Sequence, residues 1–200
     1  MGFEDQVIVI TGGTRGIGAS IAQTFDRLGA RLLLIYRSNE KAAINFLNEL
    51  DGDHQIYQCD ISDPEQVEEL VDDIHQEFGQ IDICINNAGV GFHHPIDEVS
   101  YVQWQESWQQ IMNVNLIGPS NMSYKVAQVM MSQGSGRIIN VSSRGAFRGE
   151  PLMPAYGASK AGLNSMTQSL AHALSQHNIC LLYTSPSPRD RTRSRMPSSA

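Results

Sequence analysis

The sequence predicts an α/β fold in which helices cover both faces of a doubly wound parallel sheet, a three-layer α/β/α arrangement. Two observations carry this. Short β-rich apolar runs alternate with longer segments of helical period along the 200 residues, the pattern of βαβ units. The first two runs, Val7-Ile8-Val9-Ile10 and Leu32-Leu33-Leu34-Ile35, are apolar at every position, as strands buried on both faces must be.

In chain order, strands are expected at 7–10, 32–36, 55–59, 81–85 and 137–141, and helices near 17–28, 40–50, 65–78, 101–132 and 155–177. Asp63-Pro64-Glu65 reads as a helix start, with Asp63 as N-cap and Pro64 at the first helical position. Gly118-Pro119 interrupts the long fourth helix and should kink or split it, which brings the helices to six. There is no internal repeat beyond the βα alternation.

A hydrophobic fraction of 41% and a net charge of -7 suit one globular domain. No apolar run approaches the roughly 18 residues that a membrane span needs, and Gly2-Phe3-Glu4-Asp5 lacks the basic and apolar regions of a signal peptide. Cys59 and Cys84 each lie inside an apolar segment and read as small buried residues in a reducing, cytoplasmic setting. Between Lys41 and Lys125 there is no Lys or Arg while acids are frequent, so a nucleic-acid footprint is not expected there. Glu65, Glu68, Glu69, Asp72 and Asp73 form the wet face of a helix.

The first βα turn reads Thr11-Gly12-Gly13-Thr14-Arg15-Gly16-Ile17-Gly18, after a strand and opening a helix. Glycines there let the backbone turn tightly and approach a pyrophosphate, whose charge is met by the helix N-terminal amides. The spacing is Gly-x3-Gly-x-Gly. Further along come Asn86-Asn87-Ala88-Gly89 after the fourth strand, Asn115 in the long helix, and Ser143, Tyr156 and Lys160, with twelve residues between Ser143 and Tyr156 and a Tyr-x3-Lys spacing. Together these elements, over residues 1–179, resemble the classical branch of the short-chain dehydrogenase/reductase family, and most resemble its 3-oxoacyl-acyl-carrier-protein reductases. The resemblance implies a Rossmann-type fold. It also implies hydride transfer between a nicotinamide and a carbonyl or secondary alcohol, on a small and in some members carrier-bound substrate. A glucose, polyol or other alcohol dehydrogenase of the same family is the alternative, as is a non-catalytic dinucleotide-binding fragment. A homodimer or homotetramer is implied by resemblance alone.

Physical chemistry supports the tetrad independently. On a helix, Tyr156 and Lys160 are i and i+4 and share one face. A tyrosine phenol titrates near ~10 and is a poor base at neutral pH, but a nearby ammonium favours its phenolate. Tyr156 is then the general acid for carbonyl reduction and the base for the reverse, a role worth about 10²–10⁴-fold. Ser143, at the carboxyl end of the fifth strand, can hydrogen-bond the substrate oxygen, although Ser142 beside it could be mistaken for it. Lys160 would also hold the nicotinamide ribose, and Asn115 is by family analogy the anchor of a relay water. Each residue alone has a plainer reading: Tyr156 as packed core, Ser143 as a strand-end cap, Asn115 as a partner for backbone groups at the kink.

Cofactor choice follows from charge. NAD-preferring folds place a carboxylate after the second strand to accept ribose hydroxyls. This chain has Tyr36-Arg37-Ser38 there. Arg15 and Arg37 can both approach a 2′-phosphate, which a guanidinium fork matches, so NADP(H) is expected over NAD(H). Within the resemblance, Asp60 takes the position that contacts adenine, and Asn87, Ala88 and Gly89 line the adenine and ribose side. Gly12, Thr14, Arg15, Gly16, Ile17 and Gly18 form the pyrophosphate turn.

Other features read more plainly. His93-His94-Pro95 lacks a helical ligand pair and reads as surface loop, so no metal site is expected. Trp104 and Trp108 read as helix packing or a subunit interface. Arg144 and Arg148 could favour an anionic substrate or lie in an exposed loop.

The end of the chain differs from the rest. Residues 1–179 carry a charge of -10 and residues 180–200 carry +3, with Arg189, Arg191, Arg193 and Arg195 against Asp190 alone. Residues 180–190 resemble the translation of a common transposon-based sequencing adapter, and residues 194–200 its far end. An arginine/serine-rich tail that binds RNA is the rival reading. The fold is therefore expected to stop after the sixth helix, with residues 180–200 a disordered, non-native tail. The sheet edge beside the fifth strand would be exposed, and the chain would lack the substrate lid, a loss that could leave it inactive.

Overall fold

The computed structural model describes residues 2–184. Six parallel strands are joined by helices: β1 (Val7–Thr11), α1 (Gly16–Asp26), β2 (Arg31–Tyr36), α2 (Glu40–Leu47), β3 (Gln55–Gln58), α3 (Pro64–Phe78), β4 (Ile83–Asn86), α4 (Tyr101–Met112), α5 (Gly118–Gln133), β5 (Gly136–Val141), α6 (Pro154–Leu174) and β6 (Ile179–Thr184). The strands lie in the order β3-β2-β1-β4-β5-β6. The order reverses between β1 and β4, so the carboxyl ends of these two strands open a crevice where folds of this kind bind ligands.

The all-apolar strands account for the layers. In β1 alternate residues point to opposite faces. Val9 joins Leu33, Cys84 and Ile138 under α3 and α5, packed by Val67, Val71, Met122 and Val126. Ile8 and Ile10 join Leu32, Leu34, Ile83 and Ile85 under α1 and α2, packed by Ala22 and Phe46. Cys59 and Cys84 are buried free thiols.

Asp63 caps α3 by accepting from the amides of Glu65 and Gln66, with Pro64 in the first turn. The long helix is divided into α4 and α5, but not at Gly118-Pro119 itself. The adjustment lies just upstream, where Asn113–Ile117 takes a π-helical turn and the Gly118 amide bonds back to the Asn113 carbonyl. Pro119 has no N–H to give to Asn115, and widening the turn by one residue accommodates the missing bond. Gly118 then packs on Ile61, whose side chain would lie 2.7 Å from a Cβ there.

The edge expected to lie bare beside β5 is covered. Residues 180–184 complete β6, which runs parallel to β5 from Gly136↔Ile179 to Val141↔Thr184. The physical reason is alternation: Ile179 and Leu181 point inward and are buried, while Cys180 and Leu182 are exposed. The rest of that segment, residues 185–200, lies outside the described residues.

Candidate active site

The glycine turn between β1 and α1 is shaped by two left-handed residues, Gly12 at φ 63° and Gly16 at φ 55°, a region that residues with a Cβ rarely enter. Gly18 serves differently. It is buried below the turn, and a Cβ there would collide with the Gly12 carbonyl and come within 2.6 Å of Asn87 Nδ2. It sets how closely α1 approaches the strand end and does not line the cleft.

Asn87 locks this turn to the end of β4. Its Nδ2 donates to the carbonyls of Thr11 and Gly12, each at 3.0 Å. The backbone amides of Asn87 and Ala88 donate to Thr11 Oγ1 at 3.0 and 3.1 Å. Thr11, fully buried, was not singled out from sequence; its place as the last residue of the first strand was the available signal.

Above the turn lies a cleft of about 500 Å³. Gly12, Thr14, Arg15, Gly16 and Ile17 line it from the turn, and Arg37, Ser38 and Asn39 from the end of β2. Asp60 and Ile61 line it from the end of β3, and Asn87, Ala88, Gly89 and Val90 from the end of β4. An elongated, partly cationic cleft that closes over positive-φ glycines fits a dinucleotide. Arg15 and Arg37 are exposed and make no ion pair among the described residues. Asp60 accepts from the amide and hydroxyl of Ser62 at 3.0 and 2.7 Å, which fixes its carboxylate at the rim.

Beyond Gly89 stand the tetrad residues. Asn115 lies in the π turn and is fully buried. Its Oδ1 accepts from the Val90 amide at 2.8 Å, and its Nδ2 donates to the Val90 carbonyl at 2.9 Å and to Ser159 Oγ at 3.2 Å. Lys160 is 4% exposed, and its Nζ donates to the Val141 carbonyl at 2.8 Å. Burial pulls its pKa down to about 8. Half-buried Tyr156 sits one turn before it on α6.

Gly89 and Gly91 bring these groups into one place. A Cβ on Gly89 would lie 3.3 Å from Asn115 Oδ1 and 3.6 Å from Lys160 Nζ, and one on Gly91 would lie 3.1 Å from Tyr156 Cδ2. Ser143 follows β5 and accepts from the Gly145 amide at 3.1 Å, capping a short 3-10 turn over Arg144–Ala146. Ser142 Oγ is buried without a partner. Tyr156 and Lys160 stand beyond the cleft, not in its lining.

The surface reading of His94 is overturned. His94 is no surface residue: His93 is exposed, but His94 is fully buried against Trp104, because its ring finds both polar partners inside the protein. Arg144 and Arg148 are exposed, as the loop alternative expected, and share Glu150 at 3.9 and 3.7 Å. Trp104 and Trp108 pack together on α4, with ring centroids 5.8 Å apart. Among the described residues no group of three or more His, Cys, Asp or Glu could hold a metal, and no helix is long and apolar enough to cross a membrane.

Comparison with known proteins agrees with this geometry. A family model for short chain dehydrogenases matches residues 6–200. The 3-oxoacyl-(acyl-carrier-protein) reductase of Thermotoga maritima is 34% identical over 181 residues, 90% of this chain and 72% of its own. The crystal structure of NAD+-bound xylitol dehydrogenase superposes with a TM-score of 0.85 at 29% identity, over 92% of this chain and 70% of that one. A metagenomic short-chain oxidoreductase in complex with NADP superposes with a TM-score of 0.83 at 31% identity, over 94% and 84%. The chain belongs to the short chain dehydrogenase family, and it is an oxidoreductase of the kind that acts on CH-OH groups.

Proposed function

We propose that the protein is an NADP(H)-dependent reductase of carbonyls, or dehydrogenase of secondary alcohols, with a substrate most like that of a 3-oxoacyl-acyl-carrier-protein reductase. The observation that carries this is the convergence of Tyr156, Lys160 and Asn115 around Gly89 and Gly91, at the end of the cleft lining. When bound, the nicotinamide supplies or accepts a hydride. The chain's own residues manage the proton and the oxygen. Tyr156 gives its hydroxyl proton to the substrate oxygen in reduction and takes it back in oxidation. Lys160, held by Val141, keeps a positive charge on the helix face where the phenolate is left. Ser143 donates a hydrogen bond to the same substrate oxygen. Asn115 holds the Val90 backbone and so the wall of the site.

Preference for NADP(H) is supported by Arg37, which stands immediately after β2 where an NAD-binding chain would carry an acid, and by Arg15 in the turn. Both dinucleotides occur among the similar structures. Polyol oxidation is the second reading, favoured by the likeness to xylitol dehydrogenase. A homodimer or homotetramer completes the proposal, and a reducing, cytoplasmic setting is supported by the buried thiols Cys59 and Cys84. The test follows dinucleotide absorbance with NADPH and with NADH against a panel of 3-oxoacyl thioesters, ketones and polyols. Turnover with NADPH and a 3-oxoacyl thioester is expected; dinucleotide binding without turnover across the panel would overturn the enzymatic reading.

A further inference from the structure

The first helical turn of α6 carries Tyr156, and that turn has an unusual start. Helix N-termini leave backbone donors without intrahelical partners. Here the N-cap, Met153, provides no side-chain acceptor. Pro154 has no N–H, and the amides of Tyr156 and Gly157 turn back to the Met153 carbonyl at 3.0 and 3.3 Å. The Ala155 amide belongs to a fully buried residue. It donates to His94 Nε2 at 3.1 Å.

His94 is built to accept it. Its Nδ1 lies 2.9 Å from the Phe92 carbonyl, an acceptor only, so Nδ1 carries the proton and Nε2 keeps its lone pair. One neutral tautomer therefore satisfies both contacts. The ring is held edge-to-face against Phe92 and Trp104, with centroids 6.1 and 5.7 Å away. The His94 amide donates to the Leu152 carbonyl at 2.9 Å, which pins the same residue to the segment entering α6. Earlier in this loop, Gly91 backs the Tyr156 ring.

We infer that His94 is the positioning residue for Tyr156, fixing the start of α6 by accepting the Ala155 amide so that the phenol stands at a set place relative to Lys160 and Gly91. The inference rests on the proton-transfer role proposed for Tyr156. It identifies a residue outside the tetrad whose substitution changes turnover while leaving the dinucleotide cleft, on the far side of Gly89, untouched.

The test compares His94→Phe, which keeps the packing and removes the acceptor, with His94→Gln, whose Oε1 can take the place of Nε2. H94F is expected to lower kcat on the order of tenfold to hundredfold with the dinucleotide KM within about twofold, since small misplacements act on turnover. H94Q is expected to recover most of kcat. Amide hydrogen exchange at Ala155 and Tyr156 is expected to be faster in H94F than in the wild type and in H94Q. Should H94F fail to fold, His94→Asn replaces it, because its shorter amide stops short of Ala155. Wild-type kcat in H94F, equal losses in H94F and H94Q, or unchanged exchange would each overturn the inference. Absence of turnover in the wild type would instead sink the proposed function, and the exchange comparison would still decide whether His94 anchors α6.

Discussion

Lys160 Nζ donates to the Val141 carbonyl across 2.8 Å, inside a residue that is only 4% exposed. The bond ties the inner face of α6 to the carboxyl end of β5, one residue before the Ser142-Ser143 pair. A buried ammonium with a single protein acceptor is costly, and this is why its pKa falls to about 8. Such an arrangement suits a site where a further partner, a phenolate or a ribose hydroxyl, completes the charge's surroundings.

Replacing this lysine changes the pH dependence of stability. Between about 8 and ~10.4 the unfolded chain holds the Lys160 proton and the folded one does not, so its contribution to stability rises with pH by up to about 1.4 kcal/mol per unit. Below about pH 8 the buried charge is a fixed cost. Denaturant melts of wild type and Lys160→Met at pH 7.5 and 9.5 are expected to show the variant's gain over wild type largest at the lower pH. A difference between the two proteins that does not vary with pH would contradict the burial.

Asn115 joins the π turn to Val90 through both Val90 backbone groups. Asn115→Ala leaves a buried amide and carbonyl unpaired, a loss of about 3 kcal/mol. Thermal melts are expected to drop on the order of 5–10 °C, with turnover falling alongside.

Gly18 and Gly149 make a contrast. Ala at 18 would drive its methyl into the Gly12 carbonyl, whereas nothing lies within 4 Å of a Cβ at 149. Gly18→Ala is expected to cost about 3 kcal/mol or more and to weaken dinucleotide binding. Gly149→Ala is expected to stay within about 0.5 kcal/mol of wild type. Chemical denaturation together with dinucleotide fluorescence titration checks both.

Arg37→Asp replaces a cation at the end of β2 with the carboxylate that a ribose diol would use. The kcat/KM ratio of NADPH to NADH is expected to fall on the order of 100-fold or more, from the loss of a charge-assisted contact and the gain of a repulsive one. An unchanged ratio would remove Arg37 from cofactor choice.

The layers of the fold were legible because continuous apolar runs leave a strand no solvent-facing side, and the glycine turn was legible because Gly-x3-Gly-x-Gly falls between a strand and a helix, two of its glycines taking the positive φ that residues with a Cβ seldom adopt. The pairing of Tyr156 with Lys160 needed only the helical repeat. What escaped the sequence depends on contacts between distant segments. His94 looked like surface because its acceptor role requires an amide 61 residues away. Asn115 was placed in a plain helix, since a π turn arises from a proline four residues later and from Val90 across the cleft. The strand at 180–184 escaped because the resemblance of residues 180–190 to a translated adapter says nothing of pairing, and only the ladder to β5 shows these residues to be strand.

Proton transfer by Tyr156 is tested by measuring turnover of Tyr156→Phe alongside its NADPH affinity. The variant is expected to show a kcat/KM lower by about 10²–10⁴-fold with the NADPH dissociation constant within about threefold of wild type, because Tyr156 stands beyond the cleft lining. A Tyr156→Phe protein that keeps wild-type turnover would contradict it.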